Sequence, residues 1–276
     1  MKSSSYVAHQ PDANGHVAYS AEENSVWAFL YQRQMALIQH RASQAFLHGL
    51  SVLNLPSNRV PQLAEVNAPL KAATGWQVEA VPALIPFGTF FELLANRKFP
   101  AATFIRRREH IDYLQEPDIF HEIFGHCPLL TEPVFANFVH EYGKLGLAAS
   151  KQERVYLARL FWLTVEFGLI REPAGLRIYG AGILSSKGET EYALDSALPE
   201  RLPFTVEDAL RTPYRIDIMQ PLYYVIDDFA QIYAVMNDNI LPKIRIAIAQ
   251  GDYPPRFAAK AAPAAGNDRE RDPACC

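Results

Sequence analysis

The stretch Glu116-Pro-Asp-Ile-Phe-His-Glu-Ile-Phe-Gly-His-Cys-Pro128 carries more information about the fold and the chemistry of this chain than any other. Its histidines, His121 and His126, lie five residues apart, whereas zinc proteases place two histidines four residues apart on one helix face. Five residues of a regular α-helix turn through about 500°, so the two rings would point about 140° apart. Gly125 and the following proline can unwind and end the last turn. The stretch therefore predicts a short helix over 119–126 whose two imidazoles converge as metal ligands.

A third candidate ligand, Glu166, lies in the strongly apolar stretch 155–169. A lone carboxylate in such surroundings is costly unless it is paired, protonated or bound to a metal. Two histidines and one carboxylate on one face of an ion form the facial triad of non-haem Fe(II) oxygenases. Other interpretations stay open on the residues alone. Glu166 could pair with Arg159, Cys127 could complete a structural zinc site, and Glu122 could be the general base of a zinc-dependent hydrolase.

A protein without enzymatic activity is the remaining alternative, a helical interaction module in which the histidines and the glutamate are structural. Such a module predicts no bound metal and a large exposed apolar patch.

Apolar residues at helical spacing occupy most of the chain. Ser20 and Glu23 form a capping-box pattern, which predicts the start of a long helix over 21–48. Further helices are predicted over 133–148 and 152–170, and only short stretches favour strands. The pattern predicts a mainly α (α+β) fold, with a single compact helical catalytic domain and a few short strands.

The predicted domain spans residues 20–262. Residues 1–19 are polar and lack periodicity, so we expect them to be extended or loosely ordered. Residues 263–276 are rich in Ala, Pro and charged side chains, which predicts a disordered tail. Because this tail has no apolar heptads to join subunits, we expect a monomer.

The composition limits the class of protein. The chain has 276 residues, a net charge of -4 and 49% hydrophobic residues, so it can bury a sizeable core but has no general attraction for nucleic acid or anionic membranes. No apolar run approaches the roughly 18 residues of a membrane span, and the N-terminus lacks the apolar region of a secretory signal. The cysteines, Cys127, Cys275 and Cys276, form no disulfide framework, which favours the cytoplasm.

Motifs for a built-in nucleotide or flavin are missing from the sequence. Gly180-Ala-Gly182 has too few glycines for a dinucleotide loop, and the sequence has no P-loop. Electrons for an oxygenase must therefore come from a dissociable reductant. One arginine of Arg106-Arg-Arg108, at the end of a predicted strand, could bind a carboxylate bidentately.

Three motifs together resemble the aromatic amino acid hydroxylases, most closely the bacterial members that act on phenylalanine. They are Pro117-Asp-x-x-His-Glu-x-x-Gly-His-x-Pro128, Trp162-x-Thr-Val-Glu-Phe-Gly168 and Tyr179-Gly-Ala-Gly-x-Leu-Ser-Ser186. The similarity runs from about Trp27 to Val225 and includes Gln-Pro-Leu-Tyr-Tyr-Val at 220–225. This combination of motifs is highly specific.

The resemblance implies that His121, His126 and Glu166 hold Fe(II). It implies a tetrahydropterin, either tetrahydrobiopterin or a bacterial analogue, as the two-electron donor. The expected reaction is the hydroxylation of L-phenylalanine to L-tyrosine with O2, and family members that act on tryptophan or tyrosine are the alternative.

The resemblance also assigns roles to further residues. Around the amino acid it places Arg106 on the substrate carboxylate, Asp118 as the residue that orients it, and a surrounding wall of Pro117, Trp162, Gly182 and Ser185. It places four residues at the pterin: Glu122, Phe90, Ile85 and Phe161. It matches Tyr214 to a catalytic tyrosine near the iron. Two positions depart from many animal members, which have Tyr where this chain has Phe161 and Thr where it has Leu114.

Overall fold

Helices form most of the computed structural model, which describes residues 6–114, 116–237 and 240–258. Within these ranges the α-helices are α1 (Ala21–Ile38), α2 (Gln44–Leu53), α3 (Leu63–Thr74), α4 (Phe87–Ala95), α5 (Pro133–Ala148), α6 (Lys151–Phe161), α7 (Ala181–Leu184), α8 (Lys187–Asp195), α9 (Val206–Arg211), α10 (Phe229–Asn237) and α11 (Ile240–Gln250). Among the helices of this described part, none combines the length and the apolar character needed to cross a membrane.

Short strands lie between the helices: β1 (Gln77–Val81), β2 (Lys98–Ala102), β3 (Leu169–Glu172), β4 (Gly175–Ile178), β5 (Glu200–Pro203) and β6 (Leu222–Ile226). Strands β1 and β2 pair in parallel, with Val78 opposite Phe99. The other strands form a sheet in the order β4-β3-β6-β5, in which β3 runs antiparallel to β4 and parallel to β6. The prediction of a mainly helical domain with a few short strands is confirmed.

The helix predicted over 21–48 is two helices. It begins as predicted, because the Ser20 hydroxyl accepts the Glu23 N–H and the Glu23 carboxylate accepts the Ser20 N–H. Before Ser43, however, the chain leaves the helix, and the Ser43 N–H donates to the Ile178 carbonyl at 2.8 Å. The Ser43 hydroxyl then caps α2. The prediction of one continuous helix is wrong because the chain joins the edge of the sheet here, a contact that helical periodicity does not report.

Two glycines of α5 allow α4 to pack very closely against it. A Cβ on Gly143 would lie 2.4 Å from the backbone nitrogen of Ala95. A Cβ on Gly146 would lie 2.0 Å from the ring of Phe91. This close packing fixes the position of α4, which carries Phe90 towards the functional site.

Residues 6–19 contain no helix or strand and lie against the helical domain. The Tyr6 ring stacks on Phe104, with the ring centroids 4.6 Å apart. The tail predicted over 263–276 lies outside the described residues, so the domain limits of 20–262 stay predictions.

Candidate metal centre and the cavities beside it

The two histidines lie at the ends of a π-helical segment, His121–His126. A π-helix joins residue i to residue i+5 by hydrogen bonds, so residues five apart lie one turn from each other. The Nε2 atoms of His121 and His126 are accordingly 3.1 Å apart. The rings converge as the sequence predicts, but through a wide turn over the whole segment and not through unwinding of its last turn. Gly125 has another role, because a Cβ there would lie 3.0 Å from the Ala181 carbonyl oxygen.

Glu166 reaches the same point from a second π-helical segment, Trp162–Glu166, which continues α6. Its carboxylate oxygens lie 3.1 Å from His126 Nε2 and 3.6 Å from His121 Nε2. Two ligand atoms bound at right angles, each about 2.1 Å from a metal ion, would be about 3.0 Å apart. Within the described residues these three side chains converge closely enough to hold a metal ion. They have the spacing of one face of a coordination sphere and leave the other face open.

The alternatives that the sequence left open for these residues are not observed. Arg159 pairs with Asp252 at 2.7 Å, not with Glu166. The Cys127 thiol is buried and donates to the Glu122 carbonyl at 3.5 Å. Neither Arg159 nor Cys127 therefore belongs to the triad.

The segment around α7 supports two members of the triad. The Ser185 hydroxyl lies 2.9 Å from His121 Nδ1 and so fixes the orientation of the ring. The Gly182 N–H donates to the Glu166 carboxylate. A Cβ on Gly182 would lie 3.1 Å from that carboxylate, so glycine permits this approach. Groups that orient metal ligands in this way contribute strongly to metal affinity.

The protonation states of the triad suit a divalent cation. Burial lowers the pKa of His121 to about 4, so its imidazole is neutral and can offer a lone pair. Burial alone would raise the pKa of Glu166, but His126, His121 and the Gly182 N–H lower it below its ordinary value. The site therefore presents a neutral imidazole at His121 and an anionic carboxylate at Glu166, and imidazole with carboxylate is the donor chemistry of a non-haem Fe(II) centre.

A cavity of about 380 Å³ opens beside the triad. His121 and Glu166 form part of its wall. The wall also contains five residues that the resemblance places at the substrate, namely Arg106, Pro117, Trp162, Gly182 and Ser185. We call this space the larger cavity.

Arg106 is held in the wall of the larger cavity by Asp118. The guanidinium donates from Nε and Nη2 to the two carboxylate oxygens of Asp118, at 2.8 and 2.9 Å. Arg106 is 6% exposed and Asp118 is fully buried. Burial alone would raise the pKa of Asp118, but the Arg106 guanidinium lowers it, so both groups are charged. The Asp118 carboxylate also accepts the backbone N–H of His121, which ties the arginine to the start of the ligand segment.

A shallow cleft of about 30 Å³ lies beside the triad, lined by His126 and Glu166 among others. It contains all four residues that the resemblance places at the pterin, namely Ile85, Phe90, Glu122 and Phe161. Burial raises the pKa of Glu122 well above its ordinary value, which favours the protonated form of its carboxyl group. We call this space the smaller cleft.

Comparison with known proteins agrees with this geometry. Residues 4–243 match the model of the biopterin-dependent aromatic amino acid hydroxylases. The chain belongs to this family. A phenylalanine-4-hydroxylase of Pseudomonas aeruginosa is 55% identical over 262 residues, which cover 95% of this chain and 100% of the relative. The family predicted from the sequence motifs is confirmed.

Solved hydroxylase structures have the same fold. The apo phenylalanine hydroxylase of Colwellia psychrerythraea matches with a TM-score of 0.89 and 53% identity, over 91% of this chain and 98% of that chain. The phenylalanine hydroxylase of Chromobacterium violaceum with bound iron(III) and oxidised cofactor 7,8-dihydrobiopterin matches with a TM-score of 0.83 and 48% identity, over 92% of this chain and 90% of that chain.

Two predicted site residues of this hydroxylase line neither space, namely Asp118, which lies behind Arg106, and Tyr214. The Tyr214 ring stacks on Trp162, with the centroids 4.9 Å apart and the planes 22° apart. Trp162 in turn lies against Phe167, at a centroid distance of 4.5 Å. The structure therefore places Tyr214 against the aromatic wall of the larger cavity.

Sequence reasoning missed part of the wall of the larger cavity. The loop 216–219 and Glu189 both line it. The loop carries no motif or periodicity that would have marked it. Glu189 follows Ser186 by three residues, a pattern that predicts only a helix start.

Proposed function

We propose that this enzyme is a phenylalanine 4-monooxygenase, which hydroxylates L-phenylalanine to L-tyrosine with O2 and a tetrahydropterin, using Fe(II) held by His121, His126 and Glu166. The observation that carries the proposal is the position of the triad. It borders both a cavity with a fixed guanidinium and a cleft lined by aromatic rings and a buried glutamate. An amino acid and a pterin can thus approach one metal ion together.

The triad fits iron in its donor set and in its spacing. When bound, Fe(II) supplies the activation of O2, with two electrons from the pterin, so that one oxygen atom reaches the substrate ring and the other reaches the pterin. The remaining roles belong to side chains of the enzyme, which bind, orient and exclude water.

At the substrate, we assign the carboxylate of phenylalanine to Arg106. Asp118 occupies Nε and Nη2 of the guanidinium, which leaves Nη1 for a ligand in the larger cavity. Hydrogen bonds between an arginine and a carboxylate are both strong and directional. Pro117 and Trp162 provide apolar surface for the ring, while Gly182 and Ser185 lie near the amino acid. A ligand bound in this way excludes water from the open face of the metal.

At the pterin, we assign Phe90, Phe161 and Ile85 to the faces of the ring and Glu122 to its polar edge. A ligand-sized pocket takes about 300 Å³ or more, so the smaller cleft must open to accept a pterin. The loop 82–86 forms one side of the cleft, between β1 and α4, and we assign the opening to this loop.

We assign Tyr214 an indirect part in the reaction, through its stacking on Trp162. This contact involves the aromatic ring of Tyr214, the tyrosine that the resemblance matched to one near the iron, and not its hydroxyl. Tyr214→Phe should then keep most of the activity, while Tyr214→Ala should remove a flank of the aromatic wall.

The zinc hydrolase alternative is not supported by the comparisons, because residues 4–243 match the model of the biopterin-dependent aromatic amino acid hydroxylases. The helical interaction module is not supported either, because His121, His126 and Glu166 converge on one point.

The test supplies Fe(II), tetrahydrobiopterin and O2 with phenylalanine, tryptophan or tyrosine in separate reactions and identifies each product by chromatography. We expect tyrosine from phenylalanine, only when iron, pterin and O2 are all present, and less product from the other amino acids. Turnover without O2 or pterin, or full turnover by a zinc-loaded and iron-free sample, would contradict the proposal.

We further propose a monomeric, cytoplasmic enzyme whose catalytic domain spans 20–262. Helix α11 ends at Gln250, and Gly251 follows with a φ of 78°, so the helix does not extend into a longer coiled coil. The cytoplasm suits the chemistry, since Fe(II), reduced pterin and a free thiol at Cys127 all need a reducing compartment. Light scattering and cell fractionation test the two assignments.

A further inference from the structure

Gln220 joins several parts of the larger cavity from behind its wall. Its side chain is buried, with 2% exposed. It is the first residue of the motif Gln-Pro-Leu-Tyr-Tyr-Val at 220–225, to which we have so far assigned no role. Its Oε1 accepts the indole N–H of Trp162 at 3.1 Å. Its Nε2 donates to the carbonyls of Arg215 and Ile218 at 2.9 and 3.0 Å.

The backbone of the same residue reaches a third part of the cavity. The Gln220 N–H donates to Glu189 Oε1 at 3.1 Å, and the Tyr223 hydroxyl donates to the same oxygen. Trp162, Glu189 and the loop 216–219 all line the larger cavity, whereas Gln220 itself does not.

Both ends of the Gln220 amide group are therefore hydrogen-bonded, the oxygen as an acceptor and the nitrogen as a donor. A buried donor or acceptor that loses its partner has an unfavourable free energy, so the indole N–H and the two loop carbonyls favour the single arrangement that satisfies all of them. No other side chain in the described residues bonds both the Trp162 indole and the loop carbonyls.

We propose that Gln220 is a positioning residue for hydroxylation, which holds Trp162 and the loop 216–219 in register and so fixes the place of the substrate ring relative to the metal. This inference rests on the proposed function, because it assumes that the larger cavity binds the amino acid. Gln220 touches neither substrate nor metal, and it acts through the walls that it joins.

The proposed role of Gln220 predicts an effect on phenylalanine binding but none on pterin binding or iron content. Loosening the walls of the larger cavity should weaken phenylalanine binding and allow the ring to sit out of place. Within the part of the chain that the structure describes, the Gln220 side chain shares no hydrogen bond with the smaller cleft or the triad, so pterin binding and iron content should not change.

The principal variant is Gln220→Met, which keeps the length of the side chain and removes its hydrogen bonds. We expect the apparent KM for phenylalanine to rise about fivefold to 100-fold, the range that corresponds to leaving buried polar groups unpaired. We expect the ratio of tyrosine formed to pterin consumed to fall. The KM for pterin should stay within about twofold. This second constant is the internal control, because general misfolding of the variant would change the KM for phenylalanine and the KM for pterin together.

Gln231→Met is the matched control. Gln231 also bonds two backbone groups, accepting from the Asp227 N–H at 3.0 Å and donating to the Phe204 carbonyl at 3.2 Å, but it lines neither the larger cavity nor the smaller cleft. Its loss should leave both KM values and the tyrosine-to-pterin ratio within about twofold of those of the parent enzyme.

If Gln220→Met does not fold or does not bind iron, Gln220→Glu takes its place. Glutamate keeps the acceptor for Trp162 but turns an oxygen towards the two loop carbonyls, so the KM for phenylalanine should still rise while the iron content is kept. An unchanged KM and an unchanged tyrosine-to-pterin ratio in a folded, iron-loaded Gln220 variant would overturn the inference. A parent enzyme that forms no tyrosine would contradict the proposed function instead.

Discussion

Two of the three proposed iron ligands, His121 and Glu166, are held in place by residues outside the triad. Ser185 fixes His121, the Gly182 N–H supports Glu166, and Asp118 anchors the backbone at His121. The metal is therefore expected to enter a site that needs little rearrangement. Stability of the site depends on these supports as well as on the ligands.

The first prediction concerns the ligands. His121→Ala, His126→Ala and Glu166→Ala should each lose iron and reduce tyrosine formation to background, because two donors of a facial triad do not hold the ion firmly. Ser185→Ala should lower iron affinity by about 10-fold to 100-fold. Iron stoichiometry by metal analysis, together with circular dichroism to show that the fold is kept, provides the measurement.

Glu122→Gln is the control for the ligand variants. Glu122 lies next to His121 in sequence but lines the smaller cleft and is not a member of the triad, so an amide of the same shape should keep the iron. Loss of iron in this variant would show that the ligand set is wrong.

The second prediction concerns Arg106. Arg106→Lys keeps the positive charge beside Asp118 but loses the planar fork, and hydrogen bonds to charged groups contribute about 1.5–3 kcal/mol. The apparent KM for phenylalanine should therefore rise about 10-fold to 150-fold. Arg106→Ala should also lower the free energy of unfolding by about 3–5 kcal/mol, because it leaves Asp118 buried and unpaired.

Arg107→Lys serves as the matched substitution for the arginine experiment. The Arg107 side chain is 59% exposed and pairs with Glu109 on the surface. Steady-state kinetics should show no change in its KM for phenylalanine. A larger effect at Arg107 than at Arg106 would show that the substrate clamp has been assigned to the wrong arginine.

At the scale of elements, the site depends on how closely helices approach one another. The third prediction tests this at α4, which carries Phe90. Gly143→Ala forces a Cβ to 2.4 Å from the Ala95 nitrogen. We expect overpacking to cost about 1–3 kcal/mol, which corresponds to a Tm lower by about 2–12 °C, and we expect a higher KM for pterin.

Gly88→Ala, in α4 itself, is the comparison for the packing prediction. A Cβ at Gly88 meets nothing within 4 Å, and alanine favours helix over glycine by about 0.5–1 kcal/mol. Calorimetry should thus show an equal or higher Tm for Gly88→Ala. A drop as large as that of Gly143→Ala would mean that an added methyl group destabilises the protein without the contact between α4 and α5, and would contradict the prediction.

Local signals in the sequence predict the helix starts and the chemical types at the site. The capping box at Ser20 begins α1 as expected, and the stretch 133–148 is a helix with the predicted bounds. The end of α1 was not predictable, because it depends on the pairing of Ser43 with Ile178, distant in sequence. The π-helical geometry was also hidden, since a spacing of five residues does not reveal which hydrogen-bond register the backbone adopts.

For the whole molecule, the end of the described chain folds back onto the domain. Asp252 bonds both terminal nitrogens of Arg159, and the Tyr253 N–H donates to the Arg211 carbonyl. These contacts lie before the predicted tail of 263–276. The C-terminal region thus has two parts. Asp252 and Tyr253 contact α6 and α9, whereas the composition of residues 263–276 predicts a tail that is not part of the domain.

The fourth prediction uses this division. Deleting 263–276 should leave activity, iron content and the monomeric mass of the reduced protein unchanged, and should abolish any oxidant-dependent dimer formed through Cys275 and Cys276. Deleting 252–276 should lower the Tm by about 3–12 °C, because Arg159 loses a charged partner worth about 1.5–3 kcal/mol. Light scattering that shows a stable tetramer, lost with the shorter deletion, would refute the monomer.

The π-helical segment makes the metal centre depend on the length of the chain as well as on its side chains. Removing Gly125 alone would shorten His121-Glu-Ile-Phe-Gly-His126 to His-Glu-x-x-His, the spacing that binds zinc on a regular α-helix. The backbone would gain an ordinary helical register, and every residue after the deletion would rotate by about 100° around the axis. One residue of chain length therefore separates an oxygenase triad from a zinc-peptidase spacing, and an insertion or deletion here is more damaging than most substitutions.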